Sequence, residues 1–196
     1  MARFIRVTLE SRRVSCLARL LDAEAPRTAE AVWQSLPQGA QVFHGKYARN
    51  EIYTLVPAVA GDPGRENTTI TPIPGDLCWF SFDADDLGNP AYGYEDSQEQ
   101  TRLSRIVDLA LFYGRNNLLI NGDQGWVPGN VFGTVVEGLE EMASACQDVW
   151  MGGARGETLR FARAGSPESP VPSAASRRIS PRRTGRKPER ADSGNP

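Results

Sequence analysis

The chain has few of the residues that bind metals or form disulfide bonds. Its 196 residues include one histidine, His44, and three cysteines, Cys16, Cys78 and Cys146. An odd number of widely separated cysteines is not a disulfide framework, and it favours a reducing cytoplasm. Zinc sites need several closely spaced cysteine and histidine ligands. We therefore expect no metal and no cofactor.

Long apolar runs and clustered positive charge are also absent. No run approaches the ~20 apolar residues that cross a bilayer, and the N-terminus, MARFIRVTLE, lacks the pattern of a signal peptide. Residues 164–196 contain 7 of the 22 basic and 3 of the 24 acidic residues, which leaves 15 basic and 21 acidic residues in 1–163. Because phosphate contacts need clustered positive charge, this acidic body predicts no nucleic-acid partner, and we expect no membrane partner.

The C-terminal segment differs in composition from the rest of the chain. Residues 164–196 are rich in proline, serine and arginine and contain almost no large apolar side chains. Such a segment cannot bury enough surface to offset the entropy lost on ordering, so we predict a disordered tail. Residues 1–163 then form one domain.

The patterning of residues 1–163 predicts many strands and two helices. Ile5, Val7 and Leu9 alternate with polar residues, as in a half-buried strand. The helices are predicted in DAEAPRTAEAVWQSLP and LEEMASACQDVWMGG, and further strands in VSCLARLL, GDLCWFSF, IVDLALFYG, NNLLI, VFGTVVEG and GETLRFAR. This composition of elements favours a mainly β fold, a closed antiparallel β-barrel capped by two α-helices.

Residues 41–57 concentrate polar side chains in what we predict to be one long strand. Alternate residues of a strand share a face, so Tyr47, Arg49, Glu51 and Tyr53 would form one row. Arg49 can bind a substrate carboxylate through two hydrogen bonds. A partly desolvated Glu51 would have a raised pKa and serve as general acid or base, with Tyr53 relaying a proton and Tyr47 contacting substrate. The alternative is an Arg49–Glu51 ion pair on a solvated face of the sheet.

The other row of this segment contributes two more candidates. His44 is a candidate catalytic residue, and the alternative is a hydrogen-bonded structural histidine. Asn50 is a candidate substrate-binding residue. Lys46 could form a Schiff base with a 2-oxo acid if buried, although a solvated surface lysine is the alternative we favour.

A second polar concentration follows the strand IVDLALFYG. Arg115, Asn116 and Asn117 are candidate substrate-binding residues, since a barrel presents donors to ligands at strand ends. The alternative is a turn in which the asparagine side chains satisfy backbone groups. Trp126 is either a stacking wall for substrate or part of the core. The acidic segment 83–101 is predicted to be a loop that forms a rim or lid.

Several motifs resemble the cyclophilins over about residues 3–163. They are APRTAEAVWQSLP after a β-hairpin, VFHGKY, and VFGTVVEGLEEMASAC near the end of the body. The resemblance implies a cyclophilin-like barrel. Two features depart from the prolyl isomerases: Gly45 follows His44 where those enzymes have an arginine, and KYARNEIYTL replaces their glutamine-glycine segment.

A closer resemblance is to a bacterial cyclophilin-like family of unknown function that is related to the catalytic domain of cucumopine synthase. It is carried by KYARNEIYTLVP, TPIPGDLCWF, LALFYGRNNLL and GWVPGNVFGTVVEGL. The resemblance implies a Pictet–Spengler-type condensation, in which an amine and a 2-oxo acid form an iminium ion that an aromatic ring then attacks.

The leading functional hypothesis is therefore a small-molecule enzyme that acts without a metal on amino-acid-like or 2-oxo-acid-like substrates by acid–base chemistry. Its expected partner is a small carboxylate. One alternative is a non-catalytic module that binds a small carboxylate, and another is a prolyl isomerase or peptide binder. The sequence leaves the oligomeric state open, including a homo-oligomer.

Overall fold

The computed structural model describes residues 2–58, 61–83 and 105–167. Most of the predicted lid, residues 84–101, and most of the predicted tail, residues 168–196, lie outside the described residues. Within the described ranges the elements are β1 (Phe4–Leu9), β2 (Val14–Leu20), α1 (Pro26–Ser35), β3 (Gln38–His44), β4 (Glu51–Pro57), β5 (Thr68–Thr69), β6 (Asp76–Asp83), β7 (Arg105–Phe112), β8 (Ile120–Asn121), β9 (Gly125–Trp126), β10 (Gly129–Glu137), α2 (Leu139–Gly152) and β11 (Thr158–Ala164).

Eight of these strands close into an antiparallel barrel. Their order is β2-β1-β11-β3-β4-β7-β6-β10, and β10 pairs again with β2. Closure leaves these eight strands without a free edge. The last strand returns beside the first, with Val7 opposite Phe161. The predicted mainly β barrel with two helices is confirmed.

The interior of the barrel is filled by alternate apolar residues of its strands. Ile5, Val7 and Leu9 are fully buried there, together with Phe132 and Phe161. α1 contacts β10, and α2 contacts β2, so each helix covers part of the barrel with its apolar face. Neither of the described helices has the length and apolar character that a membrane-spanning helix requires.

The prediction of one long strand over residues 41–57 is wrong. β3 ends at His44 and β4 begins at Glu51, and the two strands pair as a hairpin with Phe43 opposite Tyr53. Residues 45–50 form the connecting turn, in which Arg49 has a positive φ of 74°. The physical reason is that residues 45–50 are mostly polar. Neither face of a strand formed by them would be apolar enough to pack on the core, so this segment forms a turn.

Strands β4, β6 and β7 are buried on both faces. Their inner face belongs to the barrel core, and their outer face forms a second apolar cluster that includes Tyr53, Phe80 and Phe112. Residues 113–128 pass over this outer face and add Leu119 and Val127 to the cluster. The predicted strand in NNLLI is therefore mostly wrong, because only Ile120 and the following Asn121 form a strand, paired with β9.

Candidate functional site

A cavity of about 100 Å³ lies between the outer face of β4, β6 and β7 and the covering segment. Most of the residues that line it are apolar or aromatic, among them Tyr53, Leu55, Phe80, Phe82, Leu119 and Val127. Two acidic side chains, Glu51 and Asp108, also line it. The cavity thus combines apolar walls with two carboxyl groups.

Strand register places the two carboxyl groups in this cavity. Glu51 is the first residue of β4 and shares its outward face with Tyr53 and Leu55. Asp108 on β7 lies opposite Leu55 on one side and opposite Phe80 on the other. Because both cross-strand neighbours of Asp108 are apolar, neither side chain supplies a charge or a hydrogen-bond donor to its carboxyl group.

Burial keeps both carboxyl groups protonated to unusually high pH. Each residue is only 7% exposed. Burial raises the pKa of Glu51 to about 8. Burial and, after it, the charge of Glu51 raise the pKa of Asp108 well above its ordinary value. An ionised carboxylate without a nearby cation is costly in such surroundings, so the neutral form is favoured.

One oxygen of Asp108 is buried without a hydrogen-bond partner. Within residues 2–58, 61–83 and 105–167, nothing donates to or accepts from its Oδ1. Buried polar atoms nearly always have partners, and an exception needs a physical explanation. Asp108 also lines the cavity, so a ligand bound there would lie beside this carboxyl group.

Gly45 makes room for the carboxyl group of Glu51. Its N–H donates a 2.8 Å hydrogen bond to the backbone carbonyl of Glu51. A Cβ atom on Gly45 would lie 2.5 Å from Oε2 of Glu51, so any side chain there would force the carboxyl group to move. Gly45, which stands where the prolyl isomerases have an arginine, therefore leaves the space that the Glu51 carboxyl group occupies.

Three predicted site residues meet at the cavity. Glu51 and Tyr53 line it, and the exposed side chain of Tyr47 contributes to its rim. The ring of Tyr53 stacks on Phe43, with 5.5 Å between ring centroids, which fixes its orientation. Lys46 lies beside Tyr47 and also contributes to the rim. Whether these residues act on a substrate stays a prediction.

The turn that carries Arg49 is held by asparagine side chains. Asn117 is buried, and its Nδ2 donates to the carbonyls of Pro72 and Gly114 at 2.9 and 2.8 Å. Its Oδ1 accepts from the backbone N–H of Asn50 at 3.1 Å. These bonds match the alternative prediction of a turn in which asparagine side chains satisfy backbone groups.

The remaining polar candidates lie outside the lining of this cavity. Asn50 donates from Nδ2 to the carbonyl of Arg115 at 2.6 Å. Arg49, Arg115 and Asn116 are exposed, and none of them lines the cavity. Arg49 and Glu51 therefore do not share the cavity wall, and a role for these residues in substrate binding stays a prediction.

His44 is separated from the two carboxyl groups. It pairs across the hairpin with Ile52, whose side chain is in the barrel core. Its Nε2 lies 2.6 Å from the hydroxyl of Tyr113, its Nδ1 lies 3.1 Å from the Gly45 carbonyl, and its ring is 4.7 Å from that of Trp150. Burial lowers the pKa of His44, although the Gly45 carbonyl opposes this shift. This geometry is that of a hydrogen-bonded histidine, and a catalytic role for His44 stays a prediction.

A second cavity, of about 340 Å³, adjoins the first. The two share Phe80, Phe82, Gln124 and Val127 as lining residues. Trp126 is 55% exposed and lines the second cavity. This exposure argues against core filling, and a role as a stacking wall for substrate stays a prediction.

Asp108 is the site residue that sequence reasoning missed. It is the one charged residue within the apolar run IVDLALF, and that isolation was the available signal. An acidic residue in a strand that is buried on both faces has no solvent to face, so it must find a partner or a cavity.

The described residues do not include a recognisable metal centre. No three of their histidine, cysteine, aspartate and glutamate side chains are placed to hold a metal ion together. Cys16, Cys78 and Cys146 are free and buried. Burial raises the pKa of the Cys78 thiol well above its ordinary value, with further contributions from Asp76, Glu51 and Asp108.

One known protein family matches most of the chain. A family model described as "Protein of unknown function (DUF3830)" matches residues 7–161. The chain belongs to the DUF3830 family. This match confirms the resemblance to a family of unknown function that the sequence motifs indicated. No curated protein matches the chain.

Several solved structures match this chain over most of its length. McbB, in complex with tryptophan, is 18% identical with a TM-score of 0.54, and the match covers 84% of this chain and 46% of McbB. This chain thus spans less than half of McbB. A hypothetical protein from Archaeoglobus fulgidus, AF2241, is 21% identical with a TM-score of 0.46, covering 83% and 95% of the two chains. The Mimivirus cyclophilin is 14% identical with a TM-score of 0.42, covering 83% and 87%.

Proposed function

We propose that this DUF3830 protein is a small-molecule enzyme that catalyses an acid–base condensation of an amine with a 2-oxo acid, of the Pictet–Spengler type. The observation that carries the proposal is the pair of buried carboxyl groups, Glu51 and Asp108, in a cavity with aromatic walls. Perturbed carboxyl groups in a cleft are typical of catalytic acids and bases.

The chemistry requires protons to be added and removed at neighbouring atoms. The amine adds to the carbonyl carbon, and the resulting hydroxyl group takes a proton and leaves as water to give an iminium ion. The aromatic ring then bonds to the iminium carbon, and a ring carbon loses its proton. The net change is the release of one water molecule from the two reactants.

Glu51 is suited to both proton transfers. A general acid–base catalyst works best when its pKa lies near the working pH, and burial raises the pKa of Glu51 to about 8. Its neutral form can donate the proton that leaves with water. The carboxylate formed in this way can accept the proton that the ring releases.

The aromatic wall suits both the substrate and the intermediate. Tyr53, Phe80 and Phe82 line the cavity, and aromatic faces attract cations such as an iminium ion. The tryptophan bound to McbB, whose fold is similar, supports an indole amine as the first compound to test.

The test is a condensation assay with tryptamine or tryptophan and a panel of 2-oxo acids, with mass spectrometry to detect a product that has lost one water. We expect turnover in the wild type and a loss of roughly 10²–10⁴-fold in Glu51→Gln. Glu137→Gln, on an exposed residue of β10, is the matched control and should keep full activity. Ligand-dependent thermal stabilisation without product would indicate a binding module instead, and unchanged turnover in Glu51→Gln would remove the assigned role.

A further inference from the structure

We propose that the cavity binds its substrate through a protonated amino group, which lies between the carboxyl groups of Glu51 and Asp108. This inference deepens the proposed function and rests on it. It assigns the amine, and not the 2-oxo acid, to the first cavity.

The charges around the cavity favour a cation. Lys46, on the exposed rim, is the single lysine or arginine among its described lining residues, whereas two carboxyl groups are buried in its wall. An anionic ligand would meet two acidic groups without a buried positive charge. An ammonium group favours the ionised form of a carboxyl group beside it and could form a charge-assisted hydrogen bond to each of the two.

Asp108 lines the cavity, and one oxygen of its carboxyl group has no hydrogen-bond partner among the described residues. Leu55 and Phe80, its cross-strand neighbours, offer no side-chain hydrogen bond, and no described residue supplies one. An ammonium group has three N–H donors and no acceptor. Bound in the cavity, it can donate one hydrogen bond to the carboxyl group of Asp108 and one to that of Glu51.

The sizes of the two cavities indicate which part of the substrate each of them holds. An engineered apolar cavity of about 150 Å³ holds a benzene molecule, and the first cavity, at about 100 Å³, is smaller. It accommodates an amino group with a short alkyl chain. The adjoining cavity of about 340 Å³, lined by Trp126 and Phe80, then receives the ring, so the substrate class is an arylalkylamine.

Binding of an ammonium group should release protons. A cation beside a carboxyl group favours its ionised form and lowers its pKa, so carboxyl groups that are neutral in the free protein ionise on binding. Among the described residues, the other titratable groups near the pair are Cys78 and Asp76 of β6, Tyr53 of β4, and Lys46 and Tyr47 of the turn. The variants Asp108→Asn and Glu51→Gln separate the protons released by the pair from those released by these other groups.

The test is calorimetric titration with tryptamine and, as its anionic counterpart, indole-3-propionate, at pH 7 in two buffers of different ionisation enthalpy. We expect tryptamine to bind with release of about one proton, and indole-3-propionate to bind at least tenfold more weakly. Asp108→Asn and Glu51→Gln should each weaken tryptamine binding by roughly 10–100-fold. Asp148→Asn, at an exposed position of α2, is the matched control.

Three results would overturn the inference: no tryptamine binding, equal affinity for the two indole compounds, or wild-type affinity in both carboxyl variants. Circular dichroism is used to check that each variant is folded. If Asp108→Asn does not fold, the test depends on Glu51→Gln. Because binding is measured without a carbonyl reactant, the two proposals fail separately. Turnover without amine-dependent binding contradicts this inference alone, and binding without turnover contradicts the proposed function alone.

Discussion

The side-chain carboxyl of Glu51 lies in the space that a side chain on Gly45 would occupy. A Cβ atom on Gly45 would stand 2.5 Å from Oε2 and 3.0 Å from Cβ of Glu51. The two residues are also joined through the backbone by the Gly45 N–H bond to the Glu51 carbonyl. The turn between β3 and β4 therefore determines where the candidate catalytic acid sits.

Replacing this glycine should impair catalysis more than folding. In Gly45→Ala the new methyl group would displace the Glu51 carboxyl, and a shift of about 1 Å at a reacting group can cost roughly 100-fold in rate. We expect kcat of the condensation to fall at least tenfold, as measured by steady-state kinetics. Gly165→Ala is the control, because a Cβ at that position meets nothing within 4 Å. Equal kcat values in the two variants would contradict the positioning role.

The buried carboxyl pair should make the protein less stable at alkaline pH. Glu51 and Asp108 have pKa values raised by burial, whereas in the unfolded chain they ionise near pH 4. A raised folded-state pKa stabilises the fold below the unfolded value, and this contribution is lost as the pH rises through the folded value. The free energy of unfolding should therefore fall between about pH 5 and pH 8.

Glu51→Gln should remove part of this dependence. The amide cannot ionise, so we expect the variant to be more stable than the wild type above pH 8, by roughly 1–3 kcal/mol, and to show a shallower slope. Urea denaturation followed by fluorescence at several pH values measures both quantities. Glu137→Gln should keep the wild-type slope, since that side chain is exposed. Identical slopes for the wild type and Glu51→Gln would show that the buried carboxyl group does not control the pH dependence.

Trp126 should contribute to binding of the ring and not to stability. It is 55% exposed and lines the second cavity, so Trp126→Ala should weaken tryptamine binding by about tenfold, the equivalent of a good aromatic contact. Its free energy of unfolding should change by no more than about 0.5 kcal/mol. Trp150→Ala is a close control, because Trp150 is equally exposed but contacts His44 on the other side of the hairpin. Similar affinities of the two variants for tryptamine would argue against a ring site at Trp126.

The barrel was predictable from the sequence because most of its strands carry local signals. The alternation of Ile5, Val7 and Leu9 depends only on which face of the strand meets the core. Pro26 begins the first helix and Pro37 lies just after its end, because proline suits the first turn of a helix but cannot continue one. The closure of the sheet was inferred from the many strands and two helices, and the family resemblance implied the same barrel. The strand alternation and the helix ends can be predicted from one sequence because each depends only on residues that are close together in the chain.

The site was only partly predictable because it depends on residues that are distant in the sequence. Glu51 was found from its place in a polar run, but the face it shares is determined by the turn at 45–50, which the strand prediction missed. Asp108 acquires its surroundings from Leu55 and Phe80, which belong to two other strands. Its burial also needs the covering segment 113–128, and no local pattern indicates where that segment lies.

Glu157 should contribute strongly to the stability of the fold. It is 1% exposed, and its carboxylate accepts hydrogen bonds from the backbone N–H groups of Ser11, Arg12 and Thr158 at 2.7, 3.0 and 2.9 Å and from the Arg12 guanidinium at 2.9 Å. These bonds fasten the turn between β1 and β2 to the start of β11. Burial alone would raise the pKa of Glu157, but the hydrogen bonds from Ser11, Arg12 and Thr158 outweigh it and hold the pKa below its ordinary value.

The lowered pKa fixes the sign of the pH dependence. A depressed folded-state pKa stabilises the fold above the unfolded value, near pH 4, and the contribution is lost as the pH falls through the folded value. Glu157→Gln keeps the shape of the side chain but removes the charge and one acceptor oxygen, so we expect a loss of roughly 2–3 kcal/mol at pH 7. The difference from wild type should shrink when urea denaturation is repeated at about pH 3. A Glu157→Gln protein as stable as the exposed-site control Glu137→Gln would mean that this carboxylate does not hold the turn in place.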